Sequence, residues 1–94
     1  MFMKEKTLTI ENNLGLHARP ASVFVQMAAL FTSTNIFLVK DGFEVNGKSI
    51  LSVLMLAAEK GSRITLKTDG PEEAEAIEQL SSFLAGEMDE TQTT

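Results

Sequence analysis

The sequence contains no cysteine, a single histidine and only two prolines in 94 residues. Without thiols there is no disulfide, no thiolate zinc site and no cysteine nucleophile. One imidazole excludes every site that needs two, and without clustered carboxylates beside it too few ligands remain, so no metal site is expected. No apolar run approaches the roughly 18 residues of a membrane span. Residues 1–13 alternate charged and apolar types, which is not the apolar core of a signal peptide. The expectation is a cytoplasmic protein with no direct membrane insertion. What is present is 44% hydrophobic and 22% charged, the composition of one soluble globular domain. A chain of this length hides only about 60–65% of its unfolded surface, so its core is small and single. The reading is one domain over residues 1–88, followed by a polar tail over 89–94.

The net charge of −5 conceals an asymmetry, because residues 1–68 carry +3 and residues 69–94 carry −8. Overall acidity argues against nucleic acid as a partner. The N-terminal two-thirds can still attract an anion or an acidic protein.

Residues 4–10 alternate, with Leu8 and Ile10 on one side and Thr7 and Thr9 on the other, the period-two pattern of a strand. Asn12, Asn13 and Gly15 follow as a loop. Ala21, Phe24, Val25, Ala28 and Phe31 then fall on one face of a helix. Pro20 belongs in the first turn of that helix, where its missing N–H costs nothing, so the helix starts at His17 or Ala18. Asp41-Gly42 between residues 35–40 and 43–46 predicts a hairpin closed by a type I′ turn. Ser49 is a good N-cap for a helix over 50–60 ending at Gly61, with Val53, Leu54 and Ala57 packed on the sheet. Residues 63–68 alternate again, with Ile64 and Leu66 inward. A last helix starts at Pro71 or Glu72, with Glu72, Glu73 and Glu75 suited to the dipole of its first turn. Ala74, Ile77, Leu80, Ser81 and Leu84 are its expected buried stripe, and Gly86 its end. The order β-α-β-β-α-β-α implies an α+β fold: a two-layer open-faced sandwich with a four-stranded sheet and three helices on one face.

The chemically informative stretch is Gly15-Leu16-His17-Ala18-Arg19-Pro20-Ala21. A helix start offers N–H groups and partial positive charge to a phosphate. The same field favours a neutral imidazole, whose lone pair is available to attack. Arg19, two residues on, can neutralise the oxygens of an arriving phosphoryl group. Together these fit a transient phosphohistidine. The plainer alternative is that His17 only caps the helix and Arg19 is a solvated surface residue.

The heptapeptide resembles the phosphorylation site of the HPr family, the histidine-containing phosphocarriers of the bacterial sugar phosphotransferase system. The resemblance spans residues 4–86. Asn13 with Gly15 to Ala21 is similar to the family's active-site loop. Gly47-Lys48-Ser49-Ile50 is similar to the segment that opens its second helix, and Lys60-Gly61 to the approach to its fourth strand. The family's sheet is antiparallel, and its element order is the one read above. Two features depart from the pattern: Ser52 stands where many members have glycine, and the stretch 32–34 is one residue longer than usual.

The resemblance implies a phosphoryl carrier, not an enzyme, with no cofactor. His17 would accept a phosphoryl group on Nδ1 from phospho-enzyme I, charged by phosphoenolpyruvate, and pass it to a IIA component, with Arg19 as electrostatic partner. Ser49 would be a regulatory phosphorylation site for an HPr kinase/phosphorylase, although N-capping by itself also accounts for a serine there. Ala18, Ser22, Ile50, Leu51 and Met55 would contact the partners. The second helix is apolar on nearly every side, and a two-layer domain covers only one of them, so Ile50, Leu51 and Met55 are expected at the surface. A monomer is expected. The alternatives are a nitrogen-related or purely regulatory paralogue, or an interaction module without phosphotransfer.

Overall fold

The computed structural model describes residues 3–87, so the expected tail over 89–94 lies outside the described residues. Four strands, β1 (Lys4–Thr9), β2 (Asn35–Lys40), β3 (Phe43–Asn46) and β4 (Arg63–Asp69), form one sheet in the order β1-β4-β2-β3, with every neighbouring pair antiparallel. Three helices, α1 (Ala18–Ala29), α2 (Ile50–Met55) and α3 (Glu73–Ser82), complete the open-faced sandwich.

Register follows from side-chain alternation. Leu8 faces Ile64 across β1 and β4, and Leu38 faces Leu66 across β2 and β4, so the centre of one sheet face is apolar, with Lys6 of β1 opposite Leu66 at its exposed edge. The other face carries Thr7 hydrogen-bonded to Thr65 at 2.9 Å and the Lys67–Glu44 ion pair at 3.1 Å. The hairpin forms as expected: Lys40 pairs with Phe43, and Asp41 (φ 51°) and Gly42 (φ 82°) both take the positive φ of a type I′ turn.

The core joins Phe24 of α1, Val53 of α2 and Leu80 of α3 to Ile36, Leu38, Ile64 and Leu66 of the sheet, all fully buried. The expected face of α1 packs inward, with Ala21, Phe24, Ala28 and Phe31 buried and Val25 partly so. Thr34 is also buried, and its hydroxyl accepts from the Glu72 N–H at 2.8 Å, while Glu72 Oε1 accepts from the Ser33 N–H at 3.2 Å. These bonds anchor the loop over residues 32–34 to the start of α3.

Several expectations are corrected. The second helix does not run to residue 60: it stops at Met55, and Ala57 turns into the left-handed region (φ 52°). The residues beyond are good helix formers, but the Ala58 carbonyl accepts the Leu16 N–H at 2.8 Å, and the Gly61 N–H donates to the Ile10 carbonyl at 2.8 Å. These tertiary bonds replace further helical ones. Ala57 is accordingly exposed, Leu54 half-buried, and Leu56 and Ala58 enter the core instead. In α3, Ala74 is exposed and Ala76 takes its expected place in the stripe, in line with Leu80 and Leu84 at four-residue spacing. Helix α3 starts at Glu73 rather than at Pro71 or Glu72, with Glu72 in the N-cap position but making no side-chain capping bond, and Gly86 falls within a five-residue π turn, Phe83–Glu87, rather than ending the helix.

Candidate functional site

His17 is the N-cap of α1, half-buried, with an extended backbone (φ −90°, ψ −168°) and its carbonyl accepting the Ala21 N–H at 2.9 Å. Its imidazole makes no side-chain capping bond. That weakens the plain capping alternative, since a capping side chain exists to satisfy first-turn amides. The first turn of α1 contains no acidic residue, so its positive end has no carboxylate of its own there. Arg19 lies exposed in that turn, and Pro20 is buried at a position where no N–H is required.

The loop leading to His17 is held from two sides. The Asn12 side-chain amide donates to the Gly15 carbonyl at 3.0 Å, and Lys60 Nζ donates to Asn13 Oδ1 at 3.1 Å. Gly15 has φ +70° and presses against the segment after α2: a Cβ on it would overlap the Ala58 carbonyl oxygen and come within 2.8 Å of Glu59 Cα. Only glycine permits that approach. His17 thereby borders an open depression of about 300 Å³ lined by Leu14, Leu16, Ala18, Leu54, Ala57, Ala58 and Glu59. An imidazole at the rim of an accessible depression, at the N-terminus of a helix whose first turn carries an arginine, is an arrangement that can accept and release a phosphoryl group.

Ser49 is the N-cap of α2, with Oγ accepting from the Ser52 N–H at 3.3 Å. Ile50 is 38% exposed, Leu51 72% and Met55 67%, so the expected apolar patch is at the surface. Ala18 is exposed, and Ser22 is half-buried with Oγ accepting from Gln26 Nε2 at 3.1 Å. Leu54 and Ala57 at the depression connect α2 to His17. Leu14, 70% exposed and lining the same depression, escaped the sequence reading. The available signal was an apolar residue between Asn13 and Gly15 in an otherwise polar loop. Among the described residues no group of three or more His, Asp or Glu side chains is placed to hold a metal ion, and no helix is long and apolar enough to cross a membrane.

The family model for the PTS HPr component phosphorylation site matches residues 4–86. HPr-like protein Crh of Halalkalibacterium halodurans is 49% identical over 85 residues, covering 90% of this chain and all of the relative. Phosphocarrier protein HPr of Neisseria meningitidis is 45% identical over 84 residues, covering 89% of this chain and 93% of the relative. The crystal structure of a phosphocarrier protein HPr from Bacillus anthracis superposes with a TM-score of 0.83 at 43% identity, covering 87% of this chain and 96% of that one. With the fold, the histidine at the N-cap position of α1 and these similarities in agreement, the chain belongs to the HPr family of phosphotransferase-system phosphocarriers.

Proposed function

We propose that this protein carries phosphoryl groups on His17, accepting them from phospho-enzyme I and donating them to IIA components of sugar permeases in the cytoplasm. The observation that carries this reading is His17 at the N-cap of α1, its imidazole not used for capping, at an open depression and with Arg19 two residues on in the first turn of the helix. In the forward step the imidazole Nδ1 lone pair attacks phosphorus, one N–P bond forms, and the donor's bond to phosphorus breaks. The electron pair of that bond returns to enzyme I. The first turn of α1 and Arg19 stabilise the charge on the oxygens during transfer. The protein is the substrate of two phosphotransferases and not itself an enzyme. The apolar surface of Ile50, Leu51 and Met55, with Ala18 and Ser22, receives the partners, and its methionine and leucine side chains repack to suit more than one.

Incubation with phosphoenolpyruvate and enzyme I tests the reading. One acid-labile, base-stable phosphate is expected, absent from His17→Ala. No incorporation, or incorporation that persists in His17→Ala, overturns it. Arg19→Ala is expected to fold normally and transfer more slowly. The similarity to Crh favours one second reading, a regulatory paralogue in which phosphorylation of Ser49 by an HPr kinase/phosphorylase is what regulators detect. Phosphorylated His17 that fails to donate to any IIA component would select it. The protein is proposed to act as a monomer; an HPr from Thermoanaerobacter tengcongensis was solved as a dimer, and sedimentation of this chain decides between the two.

A further inference from the structure

Lys40 ends β2, and its ammonium reaches away from the hairpin to the turn after α2. There Nζ donates to the carbonyl oxygens of Leu56 at 3.3 Å and Ala57 at 3.4 Å. Ala57 holds φ +52°, a conformation disfavoured for any residue with a Cβ. The next carbonyl, that of Ala58, accepts the N–H of Leu16, the residue before His17, at 2.8 Å. The same turn presses on Gly15 and forms the far wall of the depression beside His17. A continuous chain of contacts thus runs from the Lys40 ammonium through residues 56–58 to the backbone that sets His17.

The turn has a definite competitor. Residues 57–60 are Ala-Ala-Glu-Lys, all good helix formers, and α2 could continue through them. In that state the Ala58 carbonyl would face the amide of residue 62 along the helix and would no longer meet Leu16. Three features oppose it: the Leu16 bond itself, the Gly61 N–H bond to the Ile10 carbonyl, and a cation across the last carbonyls, where a helix C-terminus favours positive charge.

We infer that Lys40 is a positioning residue for His17, its ammonium holding the left-handed turn at Ala57 and, through the Ala58 carbonyl, the loop that delivers the histidine. The inference rests on the phosphocarrier reading for its kinetic consequence but not for its structural one.

The test uses Lys40→Met, which keeps the stem and removes the charge, Lys40→Arg, which restores a cation, and Lys40→Met combined with Ala57→Gly, which removes the Cβ penalty at the turn. Two quantities are read: hydrogen exchange of the Leu16 amide, and kcat and KM for phosphorylation by enzyme I. In Lys40→Met the Leu16 amide is expected to exchange about tenfold faster, reflecting local opening of this turn. Its kcat is expected to fall about tenfold with KM within about twofold, the signature of a displaced reacting group. Lys40→Arg and the Ala57→Gly double variant are both expected to recover to within about twofold of the parent. Unchanged Leu16 exchange in Lys40→Met overturns the inference. So does a rise in KM alone, or failure of Ala57→Gly to restore kcat, since either would make Lys40 a docking charge. If the parent protein takes no phosphate at all, the phosphocarrier reading fails, while the exchange measurement still decides the role of Lys40.

Discussion

Replacing Gly15 with alanine probes the contact that seats the histidine loop. An L-residue held at positive φ costs about 1–2 kcal/mol. The new Cβ would overlap the Ala58 carbonyl oxygen and approach Glu59 Cα to 2.8 Å. Both neighbours are backbone, so the obstruction cannot rotate away, and overpacking of this kind adds about 1–3 kcal/mol. Separating the loops also weakens the 2.8 Å bond from the Leu16 N–H to the Ala58 carbonyl, worth about 1 kcal/mol. Gly15→Ala is therefore expected to cost about 3–6 kcal/mol, against a total stability on the order of 5–14 kcal/mol for a chain of this length. Gly61→Ala is the matched control: it also has positive φ (+92°), but nothing lies within 4 Å of its Cβ position. Its expected cost is the conformational part alone, about 1–2 kcal/mol. The protein has no tryptophan or tyrosine, so urea unfolding is followed by far-UV circular dichroism and extrapolated linearly to water. Equal losses in the two variants, within about 0.5 kcal/mol, would refute the steric argument and show that the turn after α2 yields freely. Phosphorylation of His17 is expected to slow in Gly15→Ala and to be unaffected in Gly61→Ala.

At Ser49, alanine removes the bond from the Ser52 N–H and is expected to cost about 0.5–2 kcal/mol in thermal or urea unfolding with little change in transfer rate. Aspartate at Ser49 keeps a good cap but places negative charge within the roughly 8–10 Å screening length of Ile50 and Leu51, so melts are expected to be unchanged and phosphorylation of His17 slowed. A destabilised Ser49→Asp with an unchanged rate would return Ser49 to a plain capping role. Leu51→Asp, at a position 72% exposed, is expected to alter stability by less than about 0.5 kcal/mol while weakening binding to enzyme I measured by calorimetry; unaltered binding would remove α2 from the docking surface. Phe24→Ala, at a fully buried position, is expected to cost about 3–5 kcal/mol in the same unfolding assay, and a loss under 1 would mean that α1 closes over the vacated space.

The elements that could be read from the chain are those whose cause is local. Asp41-Gly42 makes its own type I′ turn because both residues tolerate positive φ. Ser49 caps α2, and Pro20 confines the start of α1 to His17 or Ala18 before any tertiary contact is considered, the structure then placing His17 at the N-cap. Period-two alternation turned Ile64 and Leu66 inward, and with one side of a short apolar helix necessarily uncovered, Leu51 and Met55 were legible as surface residues.

Tertiary structure decided what local propensity leaves degenerate. Nothing between Leu56 and Lys60 resists helix formation, so the Leu16 bond to Ala58, the Gly61 bond to Ile10 and the reach of Lys40 to Leu56 and Ala57 account for the end of α2 at Met55. Ala74 and Ala76 are equally compatible with a buried stripe by residue type, and the docking of α3 on β1 and β4 selects Ala76. The placement of β4 between β1 and β2 is a non-local pairing that alternation along one strand cannot specify. The depression beside His17 depends on the same kind of contact. Sequence determines that a histidine begins a helix, because capping and proline chemistry act over a few residues. The position of that histidine against Leu54, Ala57 and Glu59 exists only once residues some 40 apart in the chain have packed together.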